Sequence, residues 1–354
     1  MKKRKVYLDV LRAIACCMVV GVHVSAQQIT LLGTQSISFK FMNAMDCLCI
    51  IGVPLFVMIS GALMLNPAHD NSIKNLYRHH IFHLLVAYVT WLLFYNIVDY
   101  IKANHGFTWT AFKKEVLLDT LLGKGMYHMW FLPMILGLYV LTPLIKQMVP
   151  SKRLCEYFIL LYFVFTLFYE TIFKFQVPYA ELAESLFTRL PMKMLDGYIG
   201  YYVLGYYLDK YFTPIRKRSF WAILTLGMVN FLWEVTICNQ ESAQKGELST
   251  ILNDPLTVNV FFAAVAIFLL LRQLFKKIDT NGLFYHVCRG LGRYSFGVYL
   301  IHPLILTWLT EHNITTLLLP VPISIPLMIL LVVCISYVFV WAISKIPVVG
   351  KYVV

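Results

Sequence analysis

The sequence predicts an all-α membrane bundle of about ten transmembrane helices with both termini cytoplasmic, and three observations carry that expectation. First, 59 % of the 354 residues are hydrophobic and only 14 % are charged, with a mean hydropathy of +0.70. A soluble chain sits near 45–50 % apolar and about 25 % charged. Second, the apolar residues collect in stretches of the roughly 20 residues needed to cross a hydrocarbon core. Third, the segments between these stretches alternate between rich and poor in Lys and Arg. Such a composition excludes disorder, low-complexity linkers and a conventional soluble enzyme. It also changes the meaning of the +12 net charge. In a soluble chain that excess suggests nucleic acid; in a membrane chain it marks loops held on the cytoplasmic side. Membrane lipids are therefore expected partners, and nucleic acid is not.

The expected spans are 7–29, 41–65, 80–100, 129–146, 154–173, 194–211, 219–238, 255–275, 292–311 and 322–344. The first is apolar except for Asp9, Arg12 and His23. The third opens on a run of histidines. Between the third and fourth, Trp109, Phe112 and the Lys113-Lys114 pair suit a helix lying in the membrane interface. No connecting segment is long enough for a separate folded unit, so 1–354 reads as one integral-membrane domain. No internal repeat is evident, which leaves an inverted-repeat transporter fold without support.

With the N-terminus inside, 20 of the 30 Lys and Arg fall on the cytoplasmic side, beginning with Lys2, Lys3, Arg4 and Lys5 and ending with Lys345 and Lys351. Nine fall outside, and Arg12 lies within the first span. The ratio supports cytoplasmic termini, and an odd span count would break it. Residues 1–26 also resemble a secretory signal ending in Val24-Ser25-Ala26, but Asp9 and Arg12 interrupt its apolar run. The eight cysteines lack zinc-site spacing and read as small buried apolar side chains.

An ionised side chain within hydrocarbon needs a reason. Arg12 and His23 are eleven residues apart, which on a helix is three turns plus about 20°, so both lie on one face about 16.5 Å apart. Asp9 and Gln27 fall within roughly 60° of the same stripe. Arg12 alone could snorkel to headgroups. An imidazole, however, is the side chain best suited to proton transfer at neutral pH. One face thus offers a cation for an anionic or carbonyl-bearing group and a base farther along.

Leu8-Asp9-Val10-Leu11-Arg12-Ala13-Ile14-Ala15 followed by His23 resembles the opening signature of membrane-bound acyltransferase family 3. Val53-Pro54-Leu55-Phe56-Val57-Met58-Ile59-Ser60-Gly61 is similar to the family's second-span motif. His128-Met129-Trp130-Phe131-Leu132, with Leu138-Tyr139 and Leu141-Thr142-Pro143, is similar to its fourth span, and Tyr294-Ser295-Phe296-Gly297-Val298-Tyr299-Leu300-Ile301-His302-Pro303 to its ninth. The resemblance implies transfer of an acyl group, commonly acetyl from acetyl-CoA, to an extracytoplasmic acceptor that is often a glycan hydroxyl. Acyl-CoA is then a co-substrate and no cofactor is permanently bound. The chain ends after the tenth span, like the stand-alone members without a fused esterase-like domain, and a bacterial cytoplasmic membrane is the expected location. One departure stands out. Where the family usually carries Arg-x-x-Arg, this chain aligns His80 and His83, within Tyr77-Arg78-His79-His80-Ile81-Phe82-His83. Imidazoles lack the fixed charge and fork of guanidinium. His79 and His83 also share a helix face, but no Glu or third ligand accompanies them and no metal is expected.

On this basis Arg12 orients the donor, with Asp9 holding it, and His23 acts as general base or carries the acyl group. Arg78, His80, His83, Ser60 and Ser295 are the further donor-side candidates, the two serines being equally suited to helix packing. Acceptor-side candidates are His128 and Trp130, which open the fourth span, Glu234 among the acidic span ends, and His302, which lies mid-span before Pro303. Asp46, Asp99 and Glu170 share that acidic bias beside Tyr95 and Tyr169, as does Glu234 beside Trp233. The competing expectation is a transporter or exporter that lines its path with the same polar track and performs no transfer.

Overall fold

In hydrocarbon every backbone N–H and C=O must find its partner within the chain, which helices provide locally. The computed structural model describes residues 5–67, 72–103, 107–175, 185, 195–212, 216–347 and 350; among them there is no strand. Lys2, Lys3, Arg4 and Lys351 of the charge count lie outside the described residues. Helix α1, Val6–Ala26, is continuous, and Val24 and Ser25 of the signal-like motif are fully buried within it. The second expected span is two helices, α2, Ile37–Cys49, and α3, Gly52–Met64. Pro54 cannot donate to the Ile50 carbonyl, which is met instead by Val53 N at 3.4 Å. A Cβ on Gly52 would stand 2.9 Å from Met18 Cβ and 3.0 Å from the Ala15 carbonyl oxygen, so the break also lets α3 close on α1.

Helix α4, Ile73–Lys102, starts seven residues before the expected span. Ser72 caps it by accepting from Asn75 N, so the histidine run lies inside the helix. A widened π-type turn there spans Leu76–Ile81. Helix α5, residues 109–121, covers the segment between the third and fourth expected spans; Trp109 stacks on Phe112 at 5.8 Å with Lys113 over its ring. Helices α6, Tyr127–Met148, and α7, Lys152–Phe173, follow closely the expected spans. Helix α8 is Ile199–Lys210; residue 194 of the sixth expected span lies outside the described residues. Helix α9, Lys217–Lys245, runs past its expected end until Gly246, whose φ of 72° stops it. Then come α10, Val258–Phe275, α11, Leu283–Glu311, and α12, Val321–Ile343.

Among the described residues, eight helical segments are long and apolar enough to cross a membrane, with α2 and α3 counting as one. The two expected spans outside that set are α8 and α11. Twelve described residues of α8 extend about 18 Å, short of the roughly 30 Å core. At 29 residues α11 is long enough, but Tyr294, Ser295, Tyr299 and His302 make its middle polar.

Helix α1 is the axis of the bundle, packed against α2, α3, α10, α11 and α12. On one side α3 and α8 cross at backbone distance. A side chain on Gly61 would run into the Tyr202 carbonyl, and one on Gly205 into Met58; small residues permit such crossings between helices in lipid. All eight cysteines are unbridged, and six of them are buried.

Candidate active site

The C-terminal third of α1 and the middle of α11 bring three imidazoles together. The His23 ring stacks on His302 at 5.1 Å between centroids, and His128 stands 5.6 Å from His302. Tyr127 lies 4.8 Å from His23; Tyr95 and Tyr299 lie 5.4 and 5.3 Å from His128. Local sequence sets the ring roles. Pro303 has no N–H, so the Tyr299 carbonyl four residues earlier loses its helical donor. His302 Nδ1–H supplies one at 2.7 Å, which assigns its tautomer and leaves Nε2 as a lone pair. His128 Nε2–H donates to the Leu300 carbonyl at 3.3 Å, leaving Nδ1 as the acceptor. Tyr95 also donates to Leu300, at 2.6 Å, and Tyr299 donates to the His128 carbonyl.

Both free nitrogens, His302 Nε2 and His128 Nδ1, are buried without a partner among the described residues. His23 is half-buried and forms no hydrogen bond there. It is therefore the accessible member of the cluster, backed by two basic lone pairs. His128 and His302, which the sequence placed on the acceptor side, stand in the same cluster as His23.

Toward the N-terminal end of α1, Arg12 is half-buried beside α11, where a Cβ on Gly292 would lie 3.8 Å from the Arg12 Cβ. Ser60 lies close to Tyr139, and Arg12 is within electrostatic reach of the same ring. The His80 ring meets Tyr139 edge-on at 6.2 Å. Arg12, Ser60 and His80, from three helices, thus converge on Tyr139 of α6. The sequence contained Tyr139 within a motif but assigned it no role. Asp9 accepts from Tyr285 at 3.0 Å, and Gly292 packs on its backbone; no sequence signal pointed to Tyr285.

The remaining candidates separate from these two clusters. Ser295 is buried and gives its hydroxyl to the Gly292 carbonyl at 3.1 Å, a bond within its own helix. Arg78 is exposed, and His83 Nδ1–H donates to the His79 carbonyl. Trp130 is exposed and stacks on Tyr198 at 5.6 Å. Glu234 is buried in a different polar pocket with Asn259, near Asp46.

The arrangement can hold an elongated molecule along α1. An anionic or carbonyl-bearing part fits against Arg12, Tyr139 and Ser60, and a group that must lose a proton fits against His23. A family model described as an acyltransferase domain, Acyl_transf_3, matches residues 5–343. The chain is also similar to curated proteins named "Probable poly-beta-1,6-N-acetyl-D-glucosamine export protein". That of Staphylococcus aureus strain MRSA252 is 23 % identical over 325 residues, covering 88 % of this chain and 85 % of the relative. That of strain Mu50 is 22 % identical over the same span. No solved structure matches the chain.

Proposed function

We propose, from the premise that this chain belongs to the membrane acyltransferase family matched over residues 5–343 and is a multi-pass membrane acyltransferase, that it moves an acetyl group from cytoplasmic acetyl-CoA to a hydroxyl of an extracytoplasmic or lipid-linked glycan. The observation that carries this reading is the single face of α1 that presents Arg12 and, about 16.5 Å along, an accessible His23. That separation suits two grips on one long donor. Arg12, with Tyr139 and Ser60, holds the phosphopantetheine or its carbonyl groups, and His80 adds a donor when protonated. The thioester carbonyl then reaches the histidine cluster.

At His23 a ring nitrogen takes the proton of the acceptor hydroxyl as its oxygen attacks the thioester carbon. The C–O bond forms, the C–S bond breaks, and the thiolate leaves with the proton returned from His23. The alternative order has His23 attack the carbonyl first, carry the acetyl group, and pass it to the acceptor. In both, His302 and His128 present lone pairs that stabilise the imidazolium or hold the incoming hydroxyl. Trp130 stacked on Tyr198 offers an aromatic face for a sugar ring. The relatives' printed names, which concern a β-1,6-linked N-acetylglucosamine polymer, support a glycan acceptor.

Those names also favour the rival, export without transfer. Purified protein in lipid, given labelled acetyl-CoA and an extract of cell-surface glycan, separates the two. Labelled glycan, or label trapped on His23, supports the acyltransferase reading. His23→Ala should lower transfer by at least about a hundredfold, the usual scale for losing an acid–base group. Because His23 forms no hydrogen bond among the described residues, its thermal unfolding should stay near wild type. Full transfer by that variant, or glycan movement across vesicles without any label, would remove the proposal.

A further inference from the structure

Three phenols stand around the histidine cluster, and two of them have committed their protons. Tyr95 is 1 % exposed and donates to the Leu300 carbonyl at 2.6 Å. Tyr299 is 8 % exposed and donates to the His128 carbonyl. A phenol bound in this way has no hydrogen left to offer a substrate. Tyr127 differs. It is 54 % exposed, and its hydroxyl has no hydrogen-bond partner among the described residues.

The ring of Tyr127 is nonetheless firmly placed. It lies 4.8 Å from His23, tilted by 55°, and 5.8 Å from His128, edge-on. Its phenol stands within electrostatic reach of those of Tyr95 and Tyr299. The chain that delivers it is tied down just before α6 begins. Buried Asn96 of α4 donates to Thr120 Oγ1 at 2.9 Å and to the Lys124 carbonyl at 3.0 Å. Gly125 passes so close to α4 that a Cβ there would come within 2.6 Å of Leu92. Tyr127 then opens α6.

Acetyl transfer develops negative charge on the thioester carbonyl oxygen, which needs a donor held in place beforehand. His302 and His128 cannot supply it. Each gives its N–H to a backbone carbonyl and keeps only a lone pair. His23 is engaged with the proton of the acceptor. We propose that Tyr127 is a further catalytic residue, whose O–H binds the oxyanion of the acetyl group at His23. As the acceptor oxygen attacks, its proton passes to His23 and the carbonyl π electrons move onto oxygen. Tyr127 donates to that oxygen and keeps its own proton. Collapse re-forms the C=O bond and breaks C–S, and the sulfur leaves with the proton from His23. The inference rests on the acetyl-transfer reading.

The test compares wild type and Tyr127→Phe as purified full chains in lipid, with labelled acetyl-CoA and glycan. Phenylalanine keeps the ring and removes only an unpartnered hydroxyl. The kcat should fall about a hundredfold, the scale for losing one oxyanion donor, while both KM values and the unfolding temperature stay near wild type. A Tyr127→Phe protein that transfers at the rate of an active wild type overturns this role and leaves acetyl transfer standing; it would make Tyr127 an interface anchor. A raised KM for the glycan with unchanged kcat also overturns it, by making the phenol an acceptor contact. A wild-type protein that transfers no label removes the acetyl-transfer reading and this role together.

Discussion

Replacing Pro303 by Ala should make the fold more stable and the enzyme slower. In α11 the Tyr299 carbonyl accepts from His302 Nδ1–H at 2.7 Å because residue 303 has no N–H to offer. Alanine restores that N–H and the ordinary helical bond. The restored bond contributes about 1 kcal/mol, and relief of an interior proline up to about 3 kcal/mol where the helix can straighten. The unfolding temperature should rise. The same N–H now competes with the imidazole for one carbonyl. Losing a hold of about 1 kcal/mol changes the ratio of the two His302 tautomers about fivefold. His302 Nε2 would then no longer be reliably a lone pair within the cluster that holds His23, whose ring lies 5.1 Å away. Acetyl transfer should fall by about fivefold with little change in the KM for acetyl-CoA, since Arg12 is untouched. The assay is transfer from labelled acetyl-CoA by purified protein, with tryptophan fluorescence for unfolding. A stabilised Pro303→Ala protein that transfers at the wild-type rate would refute the assignment of His302 as an oriented acceptor.

Other substitutions probe the two ends of the site and the crossing that supports it. Arg12→Lys keeps the charge but loses the planar fork, so the KM for acetyl-CoA should rise about tenfold while the protein remains folded; unchanged donor kinetics would remove Arg12 from donor binding. Trp130→Ala should raise the KM for the glycan about fivefold, through the loss of about 1 kcal/mol of ring stacking, and leave that for acetyl-CoA unchanged. Gly205→Ala places a methyl group against the Met58 backbone, so recovery of monodisperse protein by size exclusion should drop sharply, the destabilisation exceeding about 2 kcal/mol; wild-type yield would contradict so close a contact between α3 and α8.

The long apolar helices were legible from composition because a backbone in hydrocarbon has few other ways to pair its polar groups. Helix ends were less so. Residues 73–79 were expected to lie ahead of a span, yet Ser72 caps a helix that takes them in. The polar residues 239–245 continue α9 until Gly246 turns the chain left-handed. Helix α11 was expected to start at 292 and starts at Leu283. Hydropathy detects the lipid-crossing core of a helix and is blind to the turns that project beyond it.

Within one helix the relation between residues follows from rise and twist, so the face shared by Arg12 and His23 was determined by the sequence of α1 alone. The same holds for Pro303, whose missing N–H frees the Tyr299 carbonyl wherever the helix sits. What no local rule contains is which faces meet. His128 and His302 come to His23 from helices far along the chain, and Tyr139 draws in Ser60 and His80. Glu234, by contrast, is carried off to Asp46 and two asparagines. Those partnerships depend on packing, on Gly52 and Gly205 allowing backbones to touch and on α1 lying at the axis. Helical periodicity therefore determined one stripe of the site, and only the packing of helices against it decided which side chains stand across from that stripe.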